Sequence, residues 1–403
     1  MAKMSWVSGG VTAARGFLAS GVSAGMKRSR KPDLALVVSE IPATAVAMLT
    51  TNRVKAAPVL VSQARLKQGV ARGVLLNSGC ANCMTGAAGL RDALTLSHEA
   101  AAALAVADGH MLVASTGMIG RRLPMPRMRR VLPHLVRQLS RRGHQDAAHA
   151  ILTTDVKPKE AAVSARLADR LCAVGGMAKG AGMIAPSMAT MLCVLTTDVS
   201  ADRRLLAEML REAVEASFNR ISVDGDMSTN DCVFLLANGR SGVRLRAGRS
   251  AATRTFSAML KAVTQKLARL IVEDGEGATR TMEVRVVGAR SEAQAQACAR
   301  SVACSPLVKT MLAGGDPNVG RIAAAAGASS ARFDSDRLEI AIGTRRVVSG
   351  GVALRLHKSV ARELLHRPHV TVRIHLHAGR ASGGMLTCDL TERYIHINAH
   401  YST

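Results

Sequence analysis

The residues from Gly175 to Thr197 form the most unusual stretch of this 403-residue chain. Glycines and other small side chains precede an apolar run that contains Met188, Ala189 and Thr190. Small side chains leave the backbone open to close approach, so the segment suits a place where another group must contact the main chain. Taken alone, it allows two interpretations: a flexible loop before a buried strand, or a nucleotide-binding fingerprint.

The nucleotide-binding interpretation fails on the residues themselves. A glycine fingerprint over residues 180–185 requires a helix directly after it, and Pro186 stands where that helix would run. A phosphate-binding P-loop requires Gly-Lys followed by Ser or Thr, whereas Lys179 is followed by glycine. Phosphate binding is therefore not predicted for this segment.

The eight cysteines, at positions 80, 83, 172, 193, 232, 298, 304 and 388, are too sparse for a disulfide scaffold. Cys80 and Cys83 form a single C-x-x-C pair, and neither a second pair nor a nearby histidine completes a zinc set. We therefore expect reduced, buried thiols, with metal or redox use of the pair as the minor alternative.

Three aspartates, Asp224, Asp226 and Asp231, superficially resemble a calcium-binding loop. The final ligand position of an EF-hand loop requires a carboxylate, and Leu235 occupies it instead. The twelve histidines include no pair with metal-binding spacing on a convincing helix. We predict no metal site, and turn or packing roles for the three aspartates.

The first part of the chain is predicted to form four strands and one helix, which would position these residues. Short apolar β-rich runs predict strands at Leu34–Val38, Val59–Ser62, Val74–Asn77 and Met111–Ala114. Helical spacing of alanines and leucines predicts a helix from Leu90 to Val106. Ser115, Thr116 and Gly117 then lie in the turn that leaves the fourth strand.

The second half of the chain continues the alternation. Behind Ser200 as N-cap, apolar residues from Leu205 to Val214 recur every 3.6 residues and predict an amphipathic helix. A longer helix is predicted from about Ala251 to Val272. Asp316–Pro317 supplies an N-cap and a first-turn proline for a short helix that ends at Gly327. Interleaved strands and helices predict a mixed α/β fold.

Composition and charge narrow the class of protein. A chain of this length with 48% hydrophobic residues can bury a large core, as two domains or one large one. No apolar stretch is long enough to cross a bilayer, and the N-terminus lacks the apolar run of a secretory signal, so we expect a cytoplasmic protein.

The formal charge of +25 concentrates in Lys27–Lys31 and Arg121–Arg142, and such a field would attract nucleic acid or another polyanion. Only 2% of the residues are aromatic, and no known nucleic-acid-binding motif is present. A solvated basic face is therefore the preferred interpretation, and a nucleic-acid-binding protein is the non-enzyme alternative.

Ordered blocks along almost the whole chain carry a resemblance to one family. Besides the segment around Thr190, the blocks are Gly9–Ala13, Thr50–Pro58, Ser115–Gly120, Thr153–Asp155, Ser222–Asp226, Ser228–Asp231, Glu273–Thr279, Ser305–Thr310 and Ile397–Thr403. With them the chain resembles the bifunctional ornithine acetyltransferase (glutamate N-acetyltransferase) family of arginine biosynthesis. The resemblance implies a self-processing α/β fold with mixed sheets layered with helices.

The resemblance implies that the precursor cleaves itself between Ala189 and Thr190, which gives an α chain of residues 1–189 and a β chain of residues 190–403. The Thr190 hydroxyl would attack the Ala189 carbonyl, and water would hydrolyse the resulting ester. The freed α-amine has a reference pKa near 8 and would serve as general base for the adjacent hydroxyl. An α2β2 heterotetramer is the implied assembly.

The implied reaction is a ping-pong acetyl transfer. Thr190 would take the acetyl group of N2-acetyl-L-ornithine, release ornithine, and pass the group to glutamate to give N-acetylglutamate. The resemblance places the oxyanion hole at Thr116 and the backbone of Gly117. It implies that the substrate is bound by Thr153, Lys179, Thr190, Glu276, Asn398 and Thr403. In that arrangement Lys179 would pair with a substrate carboxylate and Glu276 with a substrate ammonium.

Two questions stay open at this point. The family includes monofunctional enzymes and bifunctional ones that also use acetyl-CoA as co-substrate, and the sequence does not choose between them. A self-processing aminopeptidase or amidase, with water as the acyl acceptor, is the more distant enzyme alternative. No cofactor and no membrane partner are expected.

Overall fold

The computed structural model describes residues 3–185, 191–248, 250–316, 318–355 and 357–400. In this part of the chain, residues 3–219 and 226–271 form one compact unit, and residues 220–225 and 272–400 form a second. Each unit is built on its own β-sheet with helices around it. The predicted mixed α/β fold class is therefore confirmed.

The strands, in chain order, are β1 (Ser5–Trp6), β2 (Phe17–Val22), β3 (Leu34–Leu49), β4 (Val70–Asn77), β5 (Met111–Ser115), β6 (Lys159–Leu167), β7 (Arg170–Lys179), β8 (Leu192–Thr197), β9 (Ile221–Ser222), β10 (Cys232–Ala237), β11 (Thr281–Ala289), β12 (Glu339–Ile342), β13 (Arg345–Ser349), β14 (Val352–Ala353), β15 (His369–His375) and β16 (Ala381–Cys388). The helices are α1 (Ala57–Arg65), α2 (Gly86–Ala103), α3 (Met125–Arg137), α4 (His144–Ala150), α5 (Arg203–Glu215), α6 (Ala251–Glu273), α7 (Glu292–Ala303), α8 (Pro306–Gly314), α9 (Gly320–Gly327), α10 (Lys358–Leu365) and α11 (Glu392–Ala399). None of the described helices is both long enough and apolar enough to cross a membrane.

The sheet of the first unit has the strand order β1-β6-β7-β8-β10-β3-β4-β5, with β2 paired to β3. Strand β8 pairs with β7 in the antiparallel sense and with β10 in the parallel sense. In that register Leu192 stands between Lys179 on β7 and Cys232 on β10. The end of β7 and the starts of β8 and β10 therefore lie side by side at one edge of the sheet.

Both faces of this sheet are buried. Along β4, Val74 and Leu76 belong to one hydrophobic cluster, and Leu75 between them belongs to the other. Helices α2 and α3 cover the second cluster with residues such as Leu96 and Met128. Since successive side chains of a strand point to opposite faces, a strand buried on both sides appears in the sequence as a continuous apolar run.

The second unit has a sheet of strand order β14-β13-β12-β15-β11-β16-β9. Within it, strand β11 runs parallel to β15 and antiparallel to β16. Val284 on β11 packs in one cluster with Cys298 of α7, Met311 of α8 and Ile322 of α9. These helices and the sheet form the core of the second unit.

One predicted strand is wrong. The residues predicted as a strand at Val59–Ser62 belong to helix α1, with Pro58 in its first turn. Val59, Ser62 and Arg65 are buried on one side, while Leu60 is exposed, which is the three-residue spacing of a helix face. A four-residue apolar run fits a strand and a helix equally, and the proline before it was the signal for a helix start.

The other elements are confirmed with shifted limits, but two predicted N-caps are wrong. Helix α5 is capped by Asp202, whose Oδ1 accepts a hydrogen bond from the Leu205 amide at 2.9 Å, and not by Ser200. Helix α9 begins at Gly320, and the Asp316 carboxylate accepts from the Asn318 amide two residues on. Aspartate readily forms such a local turn, which competes with capping. Pro317 lies outside the described residues.

Candidate active site

The turn at Thr116 and Gly117 directly follows β5, as predicted. The Thr116 amide donates to the Asn77 carbonyl at 2.9 Å. Gly117 has a φ of 126°, and a Cβ added there would lie 2.4 Å from the carbonyl carbon of Gly79. Only glycine permits this backbone conformation and this close approach. Contact with the residues that follow β4 therefore fixes the backbone position of Gly117 in this turn.

Asn230 holds the chain that enters this turn. Its buried side-chain amide donates to the carbonyls of Ser115 and Ala81, each at 2.8 Å. The Thr229 hydroxyl donates to Asn230 Oδ1 at 2.6 Å, which fixes the orientation of the amide group. The sequence offered no separate signal for this role, although Asn230 lies in one of the blocks that carry the family resemblance.

Lys179 and Thr153, which the sequence assigned to substrate binding, are in contact. Lys179 lies at the end of β7 and is almost fully buried, and its Nζ donates to the Thr153 hydroxyl at 2.7 Å. Asp155 links the two: its Oδ2 lies 3.7 Å from Lys179 Nζ and accepts from the Thr153 amide at 3.0 Å. The ammonium group of Lys179 is thus held in a fixed position.

Asp155 is the centre of this polar cluster, and sequence reasoning missed it. Its fully buried Oδ1 accepts from Lys159 Nζ and from the Gly180 amide, both at 2.7 Å. Burial alone would raise the pKa of Asp155, but the charges of Lys179 and Lys159 and these hydrogen bonds hold the pKa below its usual range. The carboxylate stays ionised, so it stabilises both buried ammonium groups.

Lys27, which sequence analysis treated only as part of a basic run, lies close enough to Lys179 and Asp155 for their charges to shift its pKa. Its Nζ donates to the Pro32 carbonyl at 2.6 Å. Burial lowers the pKa of Lys27, the charges of Asp33 and Asp155 oppose the fall, and the charge of Lys179 adds to it, so that the resulting pKa is about 8. About a tenth of Lys27 is therefore a neutral amine at pH 7, and about half of it at pH 8.

The first described residue after the predicted cleavage point is Met191, directly before β8. Its amide donates to Asp231 Oδ1 at 2.9 Å, and its carbonyl accepts from the Cys232 amide at 3.1 Å. Asp231 is fully buried, and burial raises its pKa well above the usual range; the Met191 hydrogen bond and the charge of Lys179 offset only part of that rise. Sequence reasoning gave Asp231 only a turn or packing role.

The second unit brings the two other predicted residues together. Asn398 of α11 donates from Nδ2 to Glu276 Oε2 at 2.7 Å. Helix α11 is fixed near this position because the Thr391 hydroxyl donates to the Gly277 carbonyl at 2.7 Å. Gly277, with a φ of 71°, approaches the backbone of the helix closely. Glu276, which was predicted to pair with a substrate ammonium, is thus held by the side chain of a docked helix.

Three predicted residues, Ala189, Thr190 and Thr403, lie outside the described residues, and the division of the chain at 189/190 stays a prediction. The eight cysteines are free; Cys80 and Cys83 are buried, as expected for reduced thiols. In the described ranges no group of three or more His, Cys, Asp or Glu side chains is arranged to hold a metal ion.

Comparison with known proteins decides the family. The model of the ArgJ family matches residues 18–403. The chain belongs to the ArgJ family. This ArgJ-family chain is 44% identical, over 415 residues and 100% of both chains, to the arginine biosynthesis bifunctional protein ArgJ of Synechococcus. It is also 44% identical to the protein of the same name in Symbiobacterium thermophilum, over 403 residues, 99% of this chain and 100% of the relative.

A crystal structure of ornithine acetyltransferase from Mycobacterium tuberculosis, complexed with ornithine, is similar to part of this ArgJ-family chain. The match covers 47% of this chain and 100% of that chain, with 44% identity and a TM-score of 0.43. The match of the family model and the identity to the two relatives confirm the family predicted from the sequence blocks. The roles given to individual site residues remain predictions, since they concern chemistry at residues partly outside the described ranges.

Proposed function

We propose that this chain is a glutamate N-acetyltransferase that moves the acetyl group of N2-acetyl-L-ornithine to L-glutamate through an ester on Thr190. The observation that carries the proposal is the buried ammonium group of Lys179. Lys179 lies at the end of β7 and pairs in the sheet with Leu192 at the start of β8, two residues after Thr190 in the sequence. A buried cation that a hydroxyl and a carboxylate hold in place suits the carboxylate common to both amino-acid substrates.

Processing comes first in the proposed sequence. The Thr190 oxygen attacks the carbonyl carbon of Ala189, the peptide C–N bond breaks, and the nitrogen takes the hydroxyl proton, which leaves an ester with a free amine. Water then adds to the ester and regenerates the Thr190 hydroxyl together with a carboxyl group on Ala189. The new α-amine, with a reference pKa near 8, is neutral often enough to act as a base.

Acetyl transfer uses the same hydroxyl. The α-amine takes its proton while the oxygen bonds to the acetyl carbon, and the Thr116 hydroxyl and the Gly117 amide donate to the oxyanion that forms. The amine of ornithine then leaves with the proton, and the acetyl group remains as an ester on Thr190. Attack by the glutamate amine reverses these steps and releases N-acetylglutamate.

Family membership supports this reaction over the alternatives. The relatives of Synechococcus and Symbiobacterium carry the name of an arginine biosynthesis enzyme over their full lengths, and the solved relative is named an ornithine acetyltransferase and contains ornithine. We propose the same place in arginine biosynthesis for this chain. In this proposal Glu276, held by Asn398, meets the ammonium group of ornithine.

Gel electrophoresis and intact mass measurement test the first step. Purified protein is expected to run under denaturing conditions as two chains of similar size, the second of which starts at Thr190. Thr190→Ala is expected to stay as one chain of 42.3 kDa and to transfer no acetyl group. A wild-type protein that transfers acetyl as a single uncleaved chain would contradict the N-terminal threonine mechanism.

Substrate assays test the second step. Processed protein with N-acetylornithine and glutamate is expected to give stoichiometric ornithine and N-acetylglutamate, with parallel double-reciprocal plots. Acetate release without glutamate would instead identify an amidase. Acetyl-CoA with glutamate, in the absence of N-acetylornithine, decides between bifunctional and monofunctional enzymes. We propose no tightly bound cofactor and a cytoplasmic α2β2 assembly, which native mass measurement checks.

A further inference from the structure

Helix α3 of the first unit carries a basic surface that the proposed reaction does not use. Its buried side packs in the hydrophobic cluster shared with α2 and consists of Met125, Met128, Leu132 and Leu135. The opposite side is exposed and carries Arg127, Arg130 and Arg137, with His134 between the last two. Residues three and seven positions apart lie on the same face of a helix. The three arginines, called the arginine stripe below, therefore form one line along α3.

The carboxylates near α3 pair with other arginines. Asp92 and Glu99 of α2 pair with Arg122 and Arg129, each at 2.7 Å. In the part of the chain that the structure describes, no carboxylate forms an ion pair with the arginine stripe. The sequence from residue 121 to residue 145 contains neither Asp nor Glu. The stripe is thus a line of exposed positive charges that its own protein does not neutralise.

Both ends of the stripe are fixed beside further cations. Arg127 Nη1 donates to the Gly25 carbonyl at 2.8 Å, which holds the loop before β3 against the first turn of α3. That loop exposes Arg28, Arg30 and Lys31. Beyond the other end of α3, Ser140 and Ala19 of β2 exchange two backbone hydrogen bonds of 3.0 and 3.1 Å. The next two residues, Arg141 and Arg142, are exposed.

The length of the stripe indicates an extended anion. An α-helix rises 1.5 Å per residue, so Arg127 and Arg137 are about 15 Å apart along the axis of α3. Successive phosphates of one strand of a nucleic-acid duplex are about 3.4 Å apart along the duplex axis, so the stripe can meet about four of them. A guanidinium group pairs with phosphate oxygens through two parallel hydrogen bonds. A single small anion would leave most of this line of charges without a partner.

The residue types around the stripe favour a duplex over a single strand or a lipid surface. Proteins that bind single strands stack the bases on aromatic side chains, and residues 18–217 contain no Phe, Tyr or Trp. A helix that lies in a membrane interface inserts an apolar face, whereas the apolar face of α3 is buried in the protein core. Contacts to the phosphates of a duplex require only fixed cations.

We propose that the arginine stripe, extended by Arg28, Arg30, Lys31, Arg141 and Arg142, binds the phosphate backbone of a nucleic-acid duplex without reading its sequence. This activity goes beyond the proposed acetyl transfer and does not depend on it. The missing aromatic residues, which favour a solvated face when the sequence is considered alone, exclude base stacking but not phosphate contacts. Duplex DNA and duplex RNA present the same phosphate groups, so both are tested.

Fluorescence anisotropy of the full chain with labelled DNA and RNA duplexes, from about 50 to 200 mM salt, is the first test. We expect a Kd of roughly 1–100 µM at physiological salt, equal for unrelated sequences, and a slope of log K against log salt of roughly −4. The duplex that binds more tightly identifies the source of the phosphates. Absence of duplex binding at about 50 mM salt, tighter binding of single strands, or binding of phosphatidylglycerol vesicles in place of duplexes overturns the proposal.

The stripe variant combines Arg127→Gln, Arg130→Gln and Arg137→Gln. Each lost phosphate contact makes the salt slope less steep by about 1, so we expect a change of about 3 and an affinity at least tenfold lower at low salt. Arg141→Gln combined with Arg142→Gln lies outside the helix, so it tests the same surface even if the stripe variant is unstable; its slope should change by about 2. Wild-type affinity in both variants overturns the proposal.

Helix α5 supplies the matched control. Arg203, Arg204 and Arg211 are exposed on it, and the same helix also carries Glu208, Glu212 and Glu215. Changing these three arginines to glutamine removes as much charge as the stripe variant does, and we expect wild-type affinity and slope. An equal loss in both variants would assign the binding to net charge alone and overturn the proposal.

Acetyl transfer separates this proposal from the proposed function. The stripe variant is expected to transfer acetyl from N-acetylornithine at the wild-type rate, because the stripe lies outside the residues assigned to that reaction. A wild-type protein that binds duplexes but transfers no acetyl group would overturn the proposed function alone. A wild-type protein that transfers acetyl but binds no duplex would overturn only the inference made from α3.

Discussion

Asp155→Asn is the substitution whose effect the structure defines most sharply. The fully buried carboxylate accepts from Lys159 Nζ and the Gly180 amide at 2.7 Å, and from the Thr153 amide at 3.0 Å. It also lies 3.7 Å from Lys179 Nζ. Asparagine matches the shape but removes the charge that both ammonium groups contact, and it turns one acceptor into a donor that faces other donors.

The magnitude follows from the burial of all three charged groups. Breaking a buried ion pair by removing one partner costs about 3–5 kcal/mol, because a charge is left in a medium that solvates it poorly. The free energy of unfolding of a typical domain is only about 5–15 kcal/mol. We therefore expect Asp155→Asn to lose about 3–5 kcal/mol at pH 7, a large part of the stability of the first unit.

Urea unfolding followed by circular dichroism measures this loss. Glu40→Gln is the control, because Glu40 and Arg240 form an exposed pair at 3.6 Å in the same unit, and such pairs contribute at most about 1 kcal/mol. The refuting result is an Asp155→Asn protein within about 1 kcal/mol of the wild type at pH 7. That would show that Asp155 does not balance the two buried lysines.

The pH dependence supplies an independent check on the same residue. The folded-state pKa of Asp155 is lowered, so its stabilisation is fully present above the unfolded-state pKa near 4 and is lost as pH falls toward the folded-state pKa. The difference in unfolding free energy between wild type and Asp155→Asn should therefore be constant from pH 5 to 8 and shrink below pH 4. A difference that instead shrinks between pH 6 and 8 would point to another group.

Three further predictions concern the turn, the second unit and Lys27. Gly117→Ala should lower kcat at least tenfold, because its Cβ would lie 2.4 Å from backbone; Gly120→Ala, also at positive φ but with open space around it, should cost only about 1 kcal/mol and keep its activity. Asn398→Ala removes a hydrogen bond to a charged group, so the KM for N-acetylornithine should rise about tenfold, because Glu276 loses its fixed position. Lys27, with a pKa of about 8, should react with acetic anhydride at pH 8 ahead of exposed lysines, as peptide mass spectrometry would show.

Each of these expectations has a contrary result. Equal activity of the two glycine variants would remove the argument from close backbone approach at Gly117. An unchanged KM in Asn398→Ala would show that Glu276 needs no support from α11. Reaction of Lys27 at the rate of ordinary surface lysines would show that its ammonium group is better solvated than its burial indicates.

Hydrophobic periodicity and turn-forming residues predicted the long helices and strands, because the signals for such elements come from residues that are close together in the sequence. The apolar spacing of α5 and α6 and the continuous run of β4 are local signals of burial on one or two faces. The prediction of a strand at Val59–Ser62 was wrong because a run of four residues is too short for its periodicity to distinguish a strand from a helix. Ser200 failed as an N-cap because Asp202 reaches the helix amide and Ser200 does not.

The polar centres of the site have no comparable local signal. Asp155 matters because β7 returns Gly180 and Lys179 to it, and Asn230 matters because β10 starts beside β8 and near the end of β5. These contacts depend on the order of strands in the sheet, which cannot be read from the spacing of residues along the chain. Only the matching blocks around Thr153 and Ser228 pointed to these places, without assigning a role to either side chain.

Strand order also determines what cleavage before Thr190 would do to the first unit. Its sheet runs β1-β6-β7-β8-β10-β3-β4-β5, so β8 and β10 of the predicted β chain lie between β7 and β3 of the predicted α chain. Ladders join them on both sides, from Lys179–Leu192 to Val174–Thr197 and from Leu49–Cys232 to Thr44–Ala237.

A cut between residues 189 and 190 breaks neither ladder, and separation of the chains would expose four new strand edges, those of β7 and β3 in one chain and of β8 and β10 in the other. We therefore expect the processed chains to elute together in size-exclusion chromatography in native buffer and to separate only in denaturant, with both chains lost from solution together on heating. Recovery of a folded, separate α chain in native buffer would refute this, because it would require the central strand pair to leave without loss of the sheet.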